Sequence, residues 1–355
     1  MSNSQNSPIP PGSEKHHYHI LDGLRGVAAI VVVWFHIFEA YATSHVDQII
    51  NHGYLAVDFF FMLSGFVIGY AYDNRWKTMT TGEFIKRRLI RLQPMVAIGA
   101  VIGALIFYFQ GCSAWDVSQV AVISLLVATF VNVLLIPSPP GLEIRGLGEM
   151  YPLNGPSWSL FFEYIGNLLY ALFIRKLSTR SLAVLVILAG CGLASFSFWG
   201  PNGDICSGFA MTGTEWTGGS LRLLYSFSAG LLLFRLFKPF NIKGSFWLCG
   251  ISLAILLAVP RLGGEDAFWM HSLYETVCFA VFFPLILLFG ASGKITDPYT
   301  DRIKYVGSWI ESPTPCTGCI TRSSNLYYAW VKNRDSFHPN ALPSSLEASC
   351  WRGSA

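Results

Sequence analysis

Leu24-Arg25-Gly26-Val27-Ala28-Ala29-Ile30-Val31-Val32-Val33-Trp34-Phe35-His36-Ile37-Phe38-Glu39-Ala40-Tyr41-Ala42 is an almost unbroken apolar run. As a helix it rises roughly 28 Å, close to the hydrocarbon thickness of a bilayer. Comparable runs follow at 54–72, 95–110, 117–137, 157–174, 181–199, 221–237, 245–259 and 272–290. They predict an all-α, polytopic transmembrane helix bundle of about nine to ten spans, with the lipid bilayer as its first partner.

Composition agrees. Hydrophobic residues are 52% of 355 and charged residues 13%, about half of what a soluble domain carries, and mean hydropathy is +0.45. Such a chain cannot cover itself with polar groups in water. A net charge of +3 gives no reason to expect nucleic acid. The eight cysteines are scattered, mostly in apolar runs where a thiol is a small filler. Cys316 and Cys319 make one C-x-x-C with no second ligand pair, so no metal is expected. Residues 1–19 read as a polar tail without a cleavable signal, and His16, His17 and His19 within it as solvated or headgroup-level groups.

Charge sets the expected orientation. Arg75, Lys77, Lys86, Arg87, Arg88 and Arg91 fall between the second and third runs, which places that connection and the N-terminus in the cytoplasm. Arg175, Lys176 and Arg180, then Arg235, Lys238 and Lys243, then Lys294, Arg302 and Lys304 mark further inner connections. Residues 200–220, with no Lys or Arg, belong outside. Counting both 95–110 and 117–137 as full crossings would put 175–180 outside. The charge pattern therefore asks that one of the two stop short, or that a crossing lie unseen between 92 and 157, with 138–156 outside.

Ionisable groups within such runs are costly and mark function. Arg25 and His36 are eleven residues apart, about 20° from alignment on a helix, with His36 about 16 Å further along it. Asp22 lies within about 40° of the same line. Asp58, one turn into the second run, is expected at the depth of His36, where it would hold the imidazole tautomer or cap the helix start. Glu163 is expected about 9 Å below the outer face, again near that depth. Gly65 and Gly69 form a small-x-x-x-small face for helix packing, and Trp158 by itself reads as an interfacial anchor. The Lys86-Arg87-Arg88-Leu89-Ile90-Arg91-Leu92-Gln93-Pro94 segment reads either as headgroup contact or as a phosphate site built from arginine forks.

These motifs together resemble the acyltransferase-3 family of bacterial membrane proteins. Four segments carry the resemblance in order over about 140 residues: Asp22-Gly-Leu-Arg25-Gly with the Arg-x10-His spacing to His36; Asp58-Phe-Phe-Phe-Met-Leu-Ser64-Gly-Phe66; Arg87-Arg88-x-x-Arg91-x-x-Pro94; and Pro156-x-Trp158-Ser159-Leu160-x-x-Glu163. A weaker apolar likeness continues to about residue 302, giving a transmembrane domain over 20–304. The resemblance implies about ten spans with both termini cytoplasmic, in a bacterial inner membrane. It also implies transfer of an acyl group, commonly acetyl, from cytoplasmic acyl-CoA to a hydroxyl of a surface glycan or lipid-linked saccharide. On that reading His36 is the general base, since a free imidazole titrates close to neutrality. Arg25 holds the donor or stabilises charge on the reacting carbonyl. Arg87, Arg88 and Arg91 clamp the CoA phosphates, and Asp58 and Glu163 orient His36 or the acceptor. Asp22, Ser64, Trp158 and Ser159 contact or orient substrate. Direct transfer is favoured because no cysteine or serine stands out as a nucleophile.

The sequence departs from the family at its end. Where a last span beginning Ser-Tyr-x-Leu-Tyr is expected, the chain reads Gly307-Ser-Trp-Ile-Glu-Ser-Pro313-Thr-Pro315-Cys316 and then a polar tail over 305–355. The abrupt change suggests a shifted reading frame, which resequencing the gene decides. Two other readings stay open: a transporter or flippase of a polar substrate, for which intramembrane charge would serve equally well though no inverted repeat is visible, and a catalytically dead family member.

Overall fold

The computed structural model describes residues 18–39, 41–42, 47–110, 120–142, 144, 148–240, 242–263 and 267–293. The His16 and His17 cluster, the Cys316/Cys319 pair, the Lys294, Arg302 and Lys304 connection and the atypical tail lie outside them. Among the described residues ten α-helices follow one another: α1 His19–Glu39, α2 Ala56–Tyr72, α3 Thr81–Gln110, α4 Val122–Val133, α5 Ser157–Leu172, α6 Thr179–Trp199, α7 Gly213–Leu236, α8 Ser245–Ala258, α9 Phe268–Val277 and α10 Phe283–Ser292. No β-strand occurs among the described residues beyond two isolated bridges, Glu149 to Ala210 and Ile242 to Gly293.

Among the described residues, six segments are long and apolar enough to cross a membrane: His19–Glu39, His52–Tyr72, Thr81–Phe109, Ser157–Lys176, Thr179–Trp199 and Phe268–Ser292. The expected nine to ten are not confirmed among these residues, for physical reasons. The 12-residue α4 reaches only about 18 Å, so of the two doubtful runs it is 117–137 that forms the short helix. The 14-residue α8 is short as well. The 24-residue α7 is long enough but carries Glu215, Arg222 and Arg235. Outward faces bear large exposed apolar side chains, among them Ile123, Leu126 and Phe130 on α4, Ile187 and Leu188 on α6, and Leu248, Ile251 and Ile255 on α8. Patches of that extent match a lipid solvent, and the chain is an integral membrane protein.

The expected third span, 95–110, begins fourteen residues earlier in the structure. Thr80 and Glu83 form a reciprocal capping box: the Glu83 amide donates to Thr80 Oγ1 at 3.2 Å, and the Thr80 amide to Glu83 Oε2 at 2.9 Å. The helix then runs through all of Lys86 to Arg91 and past Pro94. The basic stretch is therefore the first turns of α3 rather than a loop. Within the same run, the Gln93 side-chain amide donates to the Val133 carbonyl of α4 and accepts from Tyr164 of α5 at 3.1 Å.

The pairing of α2 with α7 is the axis of the bundle. Two apolar cores meet along it, one reaching α1, α8 and α10, the other α3 and α5. The helices nearly touch backbone to backbone: a methyl at Gly65 would fall 2.0 Å from the Phe227 carbonyl oxygen, and one at Gly230 1.8 Å from that of Met62. The Gly65/Gly69 face thus packs as its spacing suggests, with Gly230 as a partner from α7. Gly230→Ala must push the helices apart by more than 1 Å. We expect it to lower the melting temperature in detergent by several degrees, the usual consequence of 1–3 kcal/mol of overpacking. An unchanged melting curve would mean that the two helices are not in contact.

Candidate active site

One cleft opens between four helices. Arg25 from α1 lines it, with Val57, Phe60, Phe61, Ser64, Val67 and Ile68 from α2, Arg88, Arg91, Leu92 and Met95 from α3, and Ser159, Leu160 and Glu163 from α5. All four sequence segments singled out above contribute to it. Along α2 the lining extends from Val57 to Ile68, about 16 Å of helix, so the cleft is a groove along the bundle rather than a surface dimple.

It is crossed by a polar bridge. Arg88 Nη2 donates to Glu163 Oε1 at 2.7 Å, and Ser64 Oγ donates to the same oxygen at 2.9 Å. Three helices are tied through one carboxylate oxygen. Arg88, one of the three arginines expected at the CoA phosphates, has its side chain 5% exposed and engaged with Glu163. The free energy of burying a guanidinium favours a fixed carboxylate partner. Arg91 is exposed and still faces the groove, Arg87 is exposed one turn earlier but does not line it, and Arg25 lines it with Asp22 3.6 Å from its Nη1. Ser159 lines the groove while its hydroxyl donates to the Pro156 carbonyl at 2.9 Å.

His36 lies about 20° around α1 from Arg25 and about 16 Å along it, so it continues the groove-lining stripe beyond the groove itself. Its Nδ1 donates to Glu39 Oε2 at 2.9 Å, which leaves Nε2 as the basic nitrogen. This was the role expected of Asp58. The structure instead gives Asp58 to Arg222: Arg222 Nε and Nη2 donate to Asp58 Oδ2 at 3.1 and 2.8 Å, both side chains being 0% exposed. Arg222 also donates to the Ser207 carbonyl at 2.9 Å and the Tyr54 carbonyl at 2.7 Å. A carboxylate wholly removed from solvent needs a cation, and one on another helix supplies it. His36, Asp58 and Glu163 therefore do not share partners; each has its own. Trp158 is no interfacial anchor either: its ring lies 5.2 Å beneath the Arg222 guanidinium and packs on Gly208.

Two residues escaped the sequence reading, and both left a signal. Glu39 stands three residues after His36, one helical turn. Arg222 is an ionisable group inside a candidate span, the very criterion applied to Arg25. A second buried polar cluster closes the bundle near the start of α2. Tyr54 donates to Glu275 Oε1 at 2.5 Å and accepts from His271 Nε2 at 2.9 Å, while Ser197 donates to Glu275 Oε2 at 2.5 Å. In the connection after α6, burial pushes the Asp204 carboxyl up to about 6, against the pull of Arg261 at 3.3 Å. None of these groups lines the groove, and they read as the clamp of the 200–212 connection.

A protein named protein 2 in the picA locus, from Rhizobium radiobacter, is 34% identical over 167 residues, 45% of this chain and 83% of that protein. Acyltransferase MdmB from Streptomyces mycarofaciens is 31% identical over 179 residues, 46% of this chain and 41% of that protein. The alignment with the latter thus spans less than half of that relative. No solved structure matches the chain. The family model described as acyltransferase domain matches residues 18–310, nearly the whole bundle and every groove-lining side chain, and the chain belongs to that acyltransferase family.

Proposed function

We propose that this protein moves an acyl group, typically acetyl, from cytoplasmic acyl-CoA to a hydroxyl of a carbohydrate or lipid-linked sugar on the far side of a bacterial inner membrane. The observation that carries the proposal is the groove: Arg25 and Arg91 set among apolar walls, with His36 and its Glu39 partner further along the same stripe of α1. Arg25 and Arg91 line the groove and bring positive charge to the CoA phosphates, since arginine forks bind phosphate bidentately. His36 Nε2 takes the proton of the acceptor hydroxyl as its oxygen attacks the thioester carbonyl, and the thiolate leaves toward the donor side.

The distances are consistent with one donor spanning both ends. Arg25 and His36 are about 16 Å apart along α1. The thirteen bonds from the 4′-phosphate to the sulfur of CoA, at about 1.2 Å each when extended, cover roughly the same length.

Membranes containing the protein, given radiolabelled acetyl-CoA, should deliver label to a glycan or lipid-linked saccharide fraction. No transfer above membranes lacking the protein would count against the reading. Arg91→Ala should raise the KM for acetyl-CoA about 10-fold or more with little change in kcat, as loss of a charged phosphate contact does. An unchanged KM would remove Arg91 from the donor site.

A further inference from the structure

We infer that Gln48 is a positioning residue for the general base: it grips the peptide unit that carries His36 and so sets where Nε2 meets the acceptor hydroxyl. The inference rests on the reading of His36 as the base and adds the contact that fixes the base in place.

The outer end of α1 is thinly packed. Phe35 is the one buried residue among 32–39, while Trp34 is 48% exposed and His36 itself is partly exposed. The Phe35 carbonyl carbon is bonded to the His36 nitrogen, and on a helix its oxygen also faces the Glu39 amide. Gln48 Nε2 donates to that oxygen at 2.9 Å, from a residue that is 5% exposed. One side-chain amide thus holds the turn that bears both His36 and its Glu39 partner. Gly53 packs against Phe35 as well: a methyl there would fall 2.3 Å from Phe35 Cβ. The Tyr54 ring meets the Phe35 ring edge-on at 6.0 Å.

The segment that carries Gln48 is itself anchored in the core. His52 Nδ1 donates to the Val259 carbonyl at 2.7 Å, and its ring lies 4.6 Å from that of His271. Tyr54 donates to Glu275. Residues 48–54 therefore tie the end of α1 to the end of α8 and to α9. The Phe35 carbonyl does not need Gln48 for its own satisfaction, since the helix supplies a donor, and ordering a buried glutamine costs side-chain entropy. What the bond adds is a fixed depth and rotation for the last turn. A general base requires that: it must come within about 2.6–3.2 Å of the atom whose proton it takes, and a misplacement of about 1 Å can cost roughly 10²-fold in rate.

Gln48→Met tests this, because it keeps the volume of the side chain and removes only the donor. Per folded protein in membranes, it should lower kcat for acyl transfer about 10-fold or more and leave KM for acetyl-CoA unchanged, a split that general loosening of the fold does not produce. Its melting temperature should stay close to wild type. Should Gln48→Met not accumulate, Gln48→Glu, which keeps the shape and sets an acceptor against the carbonyl, is read in the same way. Wild-type kcat in the Gln48 variant, with His36→Ala impaired, would overturn the inference and leave the base standing. A loss accompanied by a raised KM or a much lower melting temperature would also overturn it, by giving Gln48 a part in the fold alone. Unimpaired transfer in His36→Ala would overturn both.

Discussion

Arg222→Ala is expected to destabilise the bundle by about 3–5 kcal/mol, the usual consequence of stripping one partner from a wholly buried ion pair. The change strands the Asp58 carboxylate in an environment that excludes water, and it leaves the Ser207 and Tyr54 carbonyls without their donor. It also removes the cation over Trp158. Folded protein recovered from membranes should fall to a small fraction of wild type, and what remains should melt far lower. The effect belongs to the pair: replacing Asp58 and Arg222 together by leucine and methionine should recover much of the loss, since apolar replacement of both partners is commonly tolerated. If Arg222→Ala melts within a degree or two of wild type, the pair does not exist in the folded protein.

The second large effect is on the chemistry. His36→Ala should lower acyl transfer by about 10²–10⁴-fold, the range that a positioned general base contributes, without changing protein level or KM for the donor. His36 stands apart from the α1 residues of the core, with its Nδ1 committed to Glu39, so truncation removes a base and little packing. Glu39→Ala should cost less, because it frees the tautomer and ring orientation without removing the imidazole. A different fall in the two variants, measured as kcat, is the expected signature. Equal and unimpaired transfer in both would take His36 out of the mechanism.

Much of this was legible in sequence because it is local. The apolar runs, the Gly65 face, the shared stripe of Arg25 and His36, and the arginines near Pro94 all follow from spacing along one helix. The partners were not legible for the same reason. Asp58 and Arg222 are 164 residues apart, and Arg88 and Glu163 are 75 apart, so no periodicity links them. Assigning Asp58 to His36 assumed that neighbours in sequence are partners in space. Burial reverses that, because a carboxylate with no access to water takes whichever cation the packing delivers. Glu39 was overlooked for the opposite cause. It sits at the end of an apolar run where a charged residue looks like a boundary marker, yet one turn of helix brings it onto His36. The expected nine to ten spans are not confirmed among the described residues, because α4 and α8 are apolar but short and α7 is long but charged.

The central claim is that the acyl donor lies in the groove between α1, α2, α3 and α5. A photoactivatable acyl-CoA, cross-linked to the protein in membranes and mapped by mass spectrometry, tests it without relying on any variant. The account predicts adducts on segments 57–68 and 88–95 that disappear when acetyl-CoA is added in excess. Competed adducts confined to α6, α8 or the 200–212 connection would contradict it.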